Sequence, residues 1–494
     1  MDNTASNLTY GHNGDICYQS SLDSLLDFFS KAGSASPNNK SYYGATVSVI
    51  RMFKNAWEDN KYKSMQLAMW LRDCRGGAGN RSGFREILTW LGENEPDWIK
   101  ANIHLVTEVG RWDDLIALFG TPCEDKAISV WANGIILKDG LACKWAPREK
   151  SNPEVFKKLR KYLKCSPSQF RKYIAENTKV VENAMCNNEW DSISYNHVPS
   201  VAMARLNKTF ARNDTSRFLA WSKSLSDEDS GNKVHASVLF PHDCIRTLKS
   251  ELGASFISDN RYASVNTVFN DSLIANAQFE ALPNYMQGND LRILPICDFS
   301  GSMCSPISES NSIELIDVSL GMGLYCSDRL GKANPFYRKF IPFSGDATLV
   351  SWEDETFSVA AQKHNDGFCG STNIRSALDM ILYSAQLFKA TPEQMPNCLL
   401  ILSDMQWNDQ VDGDDTAVEL GMKDWEKHGY KRPKIVYWNL NSYDGYPCTF
   451  DHPEVAMVSG YSPSLLRAIC EGDDFSPLGI MNRTIAKYEV IRPE

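Results

Sequence analysis

Residues 294–303 read LPICDFSGSM, and this stretch decides how the C-terminal part of the chain is interpreted. An apolar run ends at Asp298, and a short loop then supplies Ser300 and Ser302. Strands that are apolar throughout are typical of a parallel sheet covered on both faces, and such sheets bind ligands beyond the carboxyl ends of their strands. The stretch therefore predicts an oxygen-rich site at that edge of a parallel sheet.

The segments that follow alternate between strand-like and helix-like patterns. Short apolar runs predict strands, and longer segments with helical periodicity predict the helices between them. The predicted strands are Ile293–Cys297, Phe340–Phe343, Thr348–Trp352, Cys398–Ser403, Ile435–Leu440 and Val455–Val458. The predicted helices are Ile313–Leu330, Ile374–Phe388, Thr416–His428 and Pro463–Glu471. This alternation indicates an α/β doubly wound, Rossmann-like fold.

The N-terminal half has a different periodicity. From about residue 42 to residue 250, apolar side chains recur at helical spacing. Short polar breaks predict antiparallel helix pairs, either in a degenerate helical-repeat array or in an irregular helical domain. We expect more than one domain in a chain of 494 residues, because single cores stop growing at about 250–300 residues. The predicted parts are an N-terminal extension (1–40), an all-α domain (41–290) and an α/β domain (291–494).

Charge is distributed unevenly along the chain. The formal net charge is −10, and residues 291–494 carry 17 basic against 28 acidic side chains. Residues 141–220 instead carry 15 basic against 7 acidic side chains. A local basic excess in an acidic protein predicts that an anionic partner binds there.

Several classes of protein are disfavoured by the sequence. No apolar run approaches the ~20 residues that a membrane helix needs, and the first residues do not resemble a signal peptide, so we expect a soluble cytoplasmic protein without a membrane partner. The sequence contains no Walker loop, GxSxG elbow or HExxH motif, so we expect no enzymatic activity. Arg72, Asp73 and Arg75 beside a glycine-rich turn are interpreted as a helix-capping ion pair.

Three segments supply candidate metal ligands. Besides the first stretch, GSTNI at residues 370–374 opens a predicted helix, and LILSD at residues 400–404 closes a predicted strand. Mg²⁺ prefers octahedral oxygen coordination and accepts water among its ligands. The predicted ligands of Mg²⁺ (or Mn²⁺) are Asp298, Ser300, Ser302, Thr372 and Asp404.

The pattern Asp298-x-Ser300-x-Ser302 with Thr372 and Asp404 resembles the metal-ion-dependent adhesion site (MIDAS) of von Willebrand factor A domains. The resemblance covers the C-terminal domain and implies that the two serines and the threonine contact the ion, while the aspartates act directly or through water. It also implies that a protein partner donates an acidic side chain to the metal. A DxSxS pattern can arise by chance in a loop, but its position after an apolar strand favours the adhesion site.

The N-terminal half carries motifs that resemble a second family. The motifs are LRDCRGGAGNR at residues 71–81, GRWDDL at 110–115 and KWAP at 144–147. They are similar to proteins of plants, fungi, large DNA viruses and phages that join a helical N-terminal region to a C-terminal von Willebrand A domain. That architecture resembles the TROVE module of Ro ribonucleoproteins, which implies HEAT/TROVE-like helical repeats that bind structured or single-stranded RNA.

The basic region supplies candidate RNA contacts. Cations bind phosphates, and neighbouring aromatic rings stack on bases. The candidates are Lys157, Lys158, Arg160, Lys161, Lys164, Arg171, Lys172, Arg205, Lys208 and Arg212. Lys157, Lys161 and Lys164 are predicted to share one solvent-facing helical stripe, although such runs are also common on ordinary solvated helices. The sequence thus predicts an RNA-binding or ribonucleoprotein scaffold with a divalent metal site; the alternative is a metal-dependent protein-interaction adaptor that does not bind RNA.

Overall fold

The structure is a computed structural model, and most of the chain is described by it. The described residues are 7–11, 14, 16–35, 40–41, 44–45, 48–178, 180–249, 265–288, 290–307, 313–365, 370–407, 416–443, 445–452, 454–472 and 474–493.

Helices dominate the part of the chain before residue 281. The helices there are α1 (Ser24–Ala32), α2 (Val49–Asp59), α3 (Lys61–Arg72), α4 (Arg81–Asn94), α5 (Pro96–Val109), α6 (Glu124–Ile136), α7 (Gly140–Trp145), α8 (Pro153–Tyr162), α9 (Pro167–Asn177), α10 (Val181–Cys186), α11 (Ser200–Asn213), α12 (Thr215–Ser224), α13 (Pro241–Lys249) and α14 (Val265–Glu280). The later helices are α15 (Leu315–Asp328), α16 (Phe357–Lys363), α17 (Ile374–Leu387), α18 (Ala417–Lys427), α19 (Leu465–Cys470) and α20 (Pro477–Ile485). The prediction of a helical N-terminal half is confirmed.

The C-terminal part is built on a six-stranded mixed sheet. The strands of the whole chain are β1 (Leu8–Tyr10), β2 (Ile16–Tyr18), β3 (Lys40–Ser41), β4 (Gly44–Ala45), β5 (Ile293–Asp298), β6 (Lys339–Phe343), β7 (Val350–Ser351), β8 (Cys398–Ser403), β9 (Lys434–Asn439) and β10 (Val455–Ser459). The order in the large sheet is β10-β9-β8-β5-β6-β7. Every residue of β5, β8 and β10 is buried, as the apolar runs predicted.

The prediction of an entirely parallel sheet is wrong at one edge. Strands β10, β9, β8, β5 and β6 are parallel, but β7 pairs with β6 in the antiparallel direction. The reason is the length of the connection, because the few residues between β6 and β7 allow a hairpin, whereas a parallel pair needs a crossover of a dozen or more residues. Strand β7 is also only two residues long, so it contributes little to the sheet.

The chain divides into two compact units, and each unit is assembled from two separate segments. The sheet unit comprises Met1–Ser48 and Tyr195–Thr484, and the helical unit comprises Val49–Ser194 and Ile485–Glu494. The two compact units do not coincide with the predicted domains, which end at residues 40 and 290. Whether the predicted domains fold independently stays a prediction.

Helix α15 explains why helices before residue 290 belong to the sheet unit. Thirteen of its fourteen residues are buried, so it has no face for solvent and must be covered on every side. A Cβ at Gly323 would lie 2.4 Å from Cys297 Sγ in β5, and a Cβ at Gly321 would lie 3.0 Å from the backbone N of His242 in α13. Glycines at these two positions let α15 pack closely between the sheet and α13.

Helix α1 packs on strand β10 through an equally close contact. The Oγ of Ser459 donates a hydrogen bond to the carbonyl oxygen of Phe29 (2.8 Å) and accepts one from the backbone N of Gly33 (3.0 Å). A Cβ at residue 33 would lie 2.4 Å from the carbonyl oxygen of Ser459. The N-terminal segment is therefore a packed part of the sheet unit.

The last residues of the chain complete the helical unit. Asn102, fully buried in α5, donates from Nδ2 to the carbonyl oxygen of Ile491 (2.8 Å), and its Oδ1 accepts from the backbone N of Ile491 (2.7 Å). Tyr488 donates from its hydroxyl to Asp73 (2.8 Å), and its carbonyl oxygen accepts from Gln66 (3.0 Å). The amide of Asn102 thus pairs with both backbone groups of Ile491 and holds the C-terminal segment in register.

We expect Asn102→Ala to lower the free energy of unfolding of the helical unit by about 1–3 kcal/mol, because it removes both hydrogen bonds to the backbone of Ile491, each worth roughly 0.5–1.5 kcal/mol. Urea unfolding measures this loss. Asn94→Ala is the matched control, since the exposed Asn94 makes the same contact to its own helix, from Nδ2 to the carbonyl four residues earlier, but does not hold the C-terminal segment. Equal losses in both variants would contradict a tethering role for Asn102.

His242 in α13 is a buried titratable group of the sheet unit. Its ring packs against Phe240 and Tyr461, and its Nδ1 is buried without a hydrogen-bond partner among the described residues. Burial lowers the pKa of His242 to about 4, and the nearby charge of Asp243 only partly opposes this effect. The imidazole is therefore neutral in the folded protein at neutral pH.

This histidine predicts acid sensitivity of the sheet unit. The unfolded chain protonates the side chain near pH 6.5 and the folded chain only near pH 4, so stability is complete above pH 6.5 and falls between these values, by about 3 kcal/mol at most. His242→Leu should flatten the pH dependence of the melting temperature in this window, and the exposed His104→Gln should leave it unchanged. The same slope in wild type and His242→Leu would show that other groups cause the acid sensitivity.

Candidate functional site

The three segments predicted to hold a metal meet at the carboxyl edge of the sheet. Strands β5 and β8 are parallel neighbours, with Cys297 opposite Leu402, so Asp298 and Asp404 follow from adjacent strand ends. The segment before α17 joins them, because the backbone N of Gly301 donates to the carbonyl oxygen of Gly370 (3.2 Å). Two residues after this contact comes Thr372, which is buried. The topology therefore gathers the side chains that sequence reasoning selected, and their role as ligands stays a prediction.

Hydrogen bonds hold Asp298 in a fixed position. One carboxylate oxygen accepts from the backbone N of Ser300 (2.9 Å), and the other accepts from the hydroxyl of Ser403 (2.5 Å). The hydroxyl oxygens of Ser300 and Ser302 lie 3.2 Å apart. The carboxylate of Asp298 is thus satisfied by protein donors, while the two hydroxyls remain close together beside it.

Asp404 is held less completely. Its Oδ1 accepts from the backbone N of Gln406 (3.3 Å), but its Oδ2 is buried and accepts no hydrogen bond from the described residues. Burial raises the pKa of Asp404, and the negative charge of Asp298 raises it further. Burial also raises the pKa of Asp298. A buried carboxylate whose pKa is raised by burial and by a second carboxylate beside it forms an environment that a cation would stabilise.

The donors fit a hard divalent cation. All candidate ligands present oxygen, which is the donor that Mg²⁺ and Mn²⁺ prefer, and one carboxylate oxygen lacks a partner. Within the described ranges, no group of three or more His, Cys, Asp and Glu side chains is arranged so that it could hold a metal ion. That finding does not bear on a site in which three of five predicted ligands are hydroxyls.

Sequence reasoning missed one participant, Ser403. Its hydroxyl donates to Asp298 and accepts from the backbone N of Met405 (3.0 Å), so it connects the two strand ends. Ser403 is the last residue of β8 and stands directly before Asp404. The sequence feature that could have identified Ser403 is a polar residue at the end of an otherwise apolar strand.

The first basic run lies on and after helix α8. Lys157 and Lys161 are exposed, while Phe156 and Leu159 are buried on the other side of the helix. The prediction that Lys164 continues the same helical stripe is wrong, because α8 ends at Tyr162 and Lys164 adopts a left-handed backbone with φ of 51°. A left-handed residue just after a helix is a common way to end it. Lys164 is nevertheless exposed.

Other cations of this run already have partners. Lys158 pairs with Glu124 (2.6 Å), Arg171 pairs with Glu149 (2.6 Å), and Lys172 lies 3.9 Å from Glu176. Arg160 donates to the carbonyl oxygen of Cys165 (2.9 Å). These contacts reduce the charge that the four side chains can offer to a ligand.

The second basic run belongs to the other compact unit. Arg205, Lys208 and Arg212 are exposed on α11, which lies in the sheet unit, whereas α8 lies in the helical unit. Among the helices in the described part of the chain, none combines the length and the apolar composition that crossing a membrane requires.

Comparison with known proteins relates this chain to two families and to a viral protein. Residues 292–484 match the family described as Domain of unknown function (DUF7788), and residues 11–130 and 134–287 match Domain of unknown function (DUF2828). "Uncharacterized protein L728" of Acanthamoeba polyphaga mimivirus is 24% identical over 99% of this chain and 89% of its own length.

Among solved structures, the Ro (RSR) protein of Deinococcus radiodurans aligns with 95% of this chain and 100% of its own, at 13% identity and a TM-score of 0.49. The sequence matches are the more decisive finding, because the segments that match DUF2828 together make up more than half of the chain. The protein therefore belongs to the DUF2828 family.

Proposed function

We propose that the protein is an RNA-binding or ribonucleoprotein scaffold. In this proposal a TROVE-like, HEAT-repeat-like helical part contacts RNA, and a von Willebrand A-like domain holds Mg²⁺ or Mn²⁺ and catalyses no reaction. The observation that carries the RNA proposal is the exposed cationic surface around α8 in a protein whose net charge is −10. The metal proposal rests on the buried Oδ2 of Asp404, which accepts no hydrogen bond from the residues that the structure describes.

The proposed metal would stabilise the edge of the sheet where β5 and β8 end. Asp404 and the hydroxyls of Ser300, Ser302 and Thr372 would hold the ion, and Asp298 would hold it directly or through water. A bound divalent cation supplies positive charge between two buried carboxylates and stabilises their ionised forms. Its open coordination positions would also accept an acidic side chain from a protein partner.

We expect Mg²⁺ or Mn²⁺ to raise the melting temperature of the wild type, because a ligand that binds only the folded state stabilises it by about 2.7 kcal/mol at a hundred times its dissociation constant. Asp404→Asn should abolish this rise. In the presence of EDTA the same variant should melt at or above the wild-type temperature, since the substitution removes one of two facing buried charges. Thermal melting with and without the metal measures both effects.

The control for this experiment is Asp354→Asn, which changes an exposed carboxylate of the same unit. It should leave the metal response intact. A full metal-dependent rise in Asp404→Asn would show that Asp404 is not a ligand.

The surface around α8 combines charge with an aromatic ring. Lys157, Lys161 and Lys164 are exposed and form no ion pair with described residues. Tyr162 lies among them with about half of its side chain exposed, and its hydroxyl contacts Ser129 at 3.2 Å. Phosphate groups bind to such ammonium groups, and each base that stacks on an aromatic ring contributes about 1–3 kcal/mol. This composition fits a single-stranded segment of RNA.

We expect reversal of Lys157, Lys161 and Lys164 to glutamate to weaken RNA binding and to flatten its salt dependence. Each lost phosphate contact lowers the slope of log affinity against log salt by roughly 0.7–0.9, because fewer counterions are released. Mobility-shift titrations across a salt series measure the affinity and the slope. The metal response of the variant should stay as in the wild type.

The matched control reverses Lys389, Lys423 and Lys431, which are exposed on the acidic sheet unit and change the net charge equally. It should bind RNA nearly as well as the wild type. Equal losses of RNA affinity in both triple variants would show that the lysines around α8 act only through the net charge of the protein. Absence of RNA binding by the wild type at low salt would instead favour the metal-dependent protein-interaction adaptor.

A further inference from the structure

Two of the N-terminal motifs of the sequence meet at one place within the helical unit. The segments that contain RGGAGNR and GRWDDL bring Arg72, Arg81, Arg85 and Arg111 together around two adjacent carboxylates, those of Asp113 and Asp114. We refer to these six residues as the arginine cluster. It is separate from the basic run on α8, and the proposed function does not use it.

The inner half of the cluster is structural. Asp114 is fully buried and accepts from Nε of Arg72 (2.7 Å), from Nε of Arg85 (2.7 Å) and from the backbone N of Arg111 (2.9 Å). Arg72 is itself only 3% exposed. The interpretation of Arg72 as part of a capping pair with its neighbour is therefore wrong, because its charge is paired with a carboxylate 42 residues away.

The outer half carries unbalanced charge. Arg81, Arg85 and Arg111 all pair with the single carboxylate of Asp113, at 2.5, 3.2 and 2.6 Å. Their side chains are 39, 30 and 31% exposed, whereas Asp113 is 14% exposed. Arg85 also pairs with Asp114 (2.7 Å), and Nε of Arg81 lies 3.4 Å from the same carboxylate. Four guanidinium groups thus share the two carboxylates of the cluster, and a surplus of two positive charges remains at a place where Arg81, Arg85 and Arg111 are about one-third exposed.

The surplus is unfavourable in the protein alone. Burial lowers the pKa of Arg81, and the positive charges of Arg85 and Arg111 lower it further, against the opposing effect of Asp113. The side-chain hydrogen bonds of these three arginines to described residues come from Nε and Nη2, which leaves Nη1 of each for a ligand. Unused donors and unbalanced charge at one place are what an anion would satisfy.

An aromatic ring orients one of these arginines, Arg111. The guanidinium of Arg111 lies 3.6 Å from the centre of the Trp145 ring, and the ammonium of Lys144 lies 5.6 Å from it. Trp145 comes from the KWAP motif and is half-buried. Stacking of this kind orients the planar guanidinium and leaves its edge available for hydrogen bonds.

We propose that Arg81, Arg85 and Arg111 bind a phosphate group of the RNA backbone. The guanidinium fork matches phosphate oxygens, and a group with several negatively charged oxygens can contact three arginines at once. This inference rests on the proposed RNA-binding function and names a contact site that the lysines of α8 do not include.

The experiment measures binding of a labelled single-stranded RNA to the full chain across a salt series. Arg81→Gln removes the most exposed guanidinium of the three and leaves Asp114 with its contacts to Arg72 and Arg85. We expect Arg81→Gln to weaken RNA binding about three- to tenfold and to lower the salt slope by roughly 0.7. Arg51→Gln, which alters an exposed arginine of α2 outside the cluster, should bind as the wild type does.

The outcomes separate this inference from the proposed function. If the wild type binds RNA and Arg81→Gln has unchanged affinity and slope, the cluster is only a structural ion network and the RNA proposal stands. If the wild type binds no RNA, the RNA proposal fails, and tripolyphosphate then tests the cluster by thermal melting. A rise in melting temperature in wild type and Arg51→Gln, but not in Arg81→Gln, supports a phosphate site; equal rises or none overturn it.

A second variant keeps the inference testable if Arg81→Gln prevents folding. If Arg81→Gln does not give a folded protein, Arg81→Lys replaces it, because lysine keeps the charge but lacks the fork. It should weaken RNA binding two- to threefold with little change in the salt slope, and an affinity equal to the wild type would overturn the inference.

Discussion

The complete burial of helix α15 is the constraint on which the sheet unit depends. A helix with thirteen of its fourteen residues buried has to be covered on nearly every side, and the sheet covers only one of them. Helix α13 supplies another cover, and Lys249 at its end pairs with the buried Asp317 of α15 (2.7 Å). Helix α14 follows on the outside, where Phe279 stacks on Phe357 of α16 at 4.2 Å. Helices that precede the sheet in the chain thus form part of the helical layer that covers the sheet.

The same layered packing produces the candidate metal site. Because β5 and β8 are buried on both faces, their polar residues can occur only where the strands end, and parallel neighbours end at the same edge. Two carboxylates therefore become buried side by side, which is unfavourable without a counter-charge. Burial of charge is here a direct result of the topology, and it explains why oxygen ligands gather at this edge.

In the helical unit, the carboxylates of the arginine cluster are neutralised by arginines. The inner carboxylate, Asp114, pairs with Arg72, Arg81 and Arg85 and accepts from a backbone N–H, and the outer Asp113 is shared among three arginines. Carboxylates are in surplus at the edge of the sheet, and guanidinium groups are in surplus in the arginine cluster. Each unit therefore has a place where neighbouring charges of the described residues do not balance, and the proposed ligands of the two places carry charges of opposite sign.

The sequence by itself determined where the strands of the large sheet lie, that the first half is helical, and which oxygen-bearing side chains stand at the ends of β5 and β8. These features could be predicted from the sequence because hydrophobic periodicity is a local property of the chain. A polar residue such as Asp298, for example, marks the end of an apolar run. Only the tertiary structure decided that α13 covers α15 and that Ile491 pairs with Asn102. The same is true of the three arginines that share Asp113. The physical reason is that these contacts join residues far apart in the chain, 389 positions for Asn102 and Ile491, so that no local pattern records them.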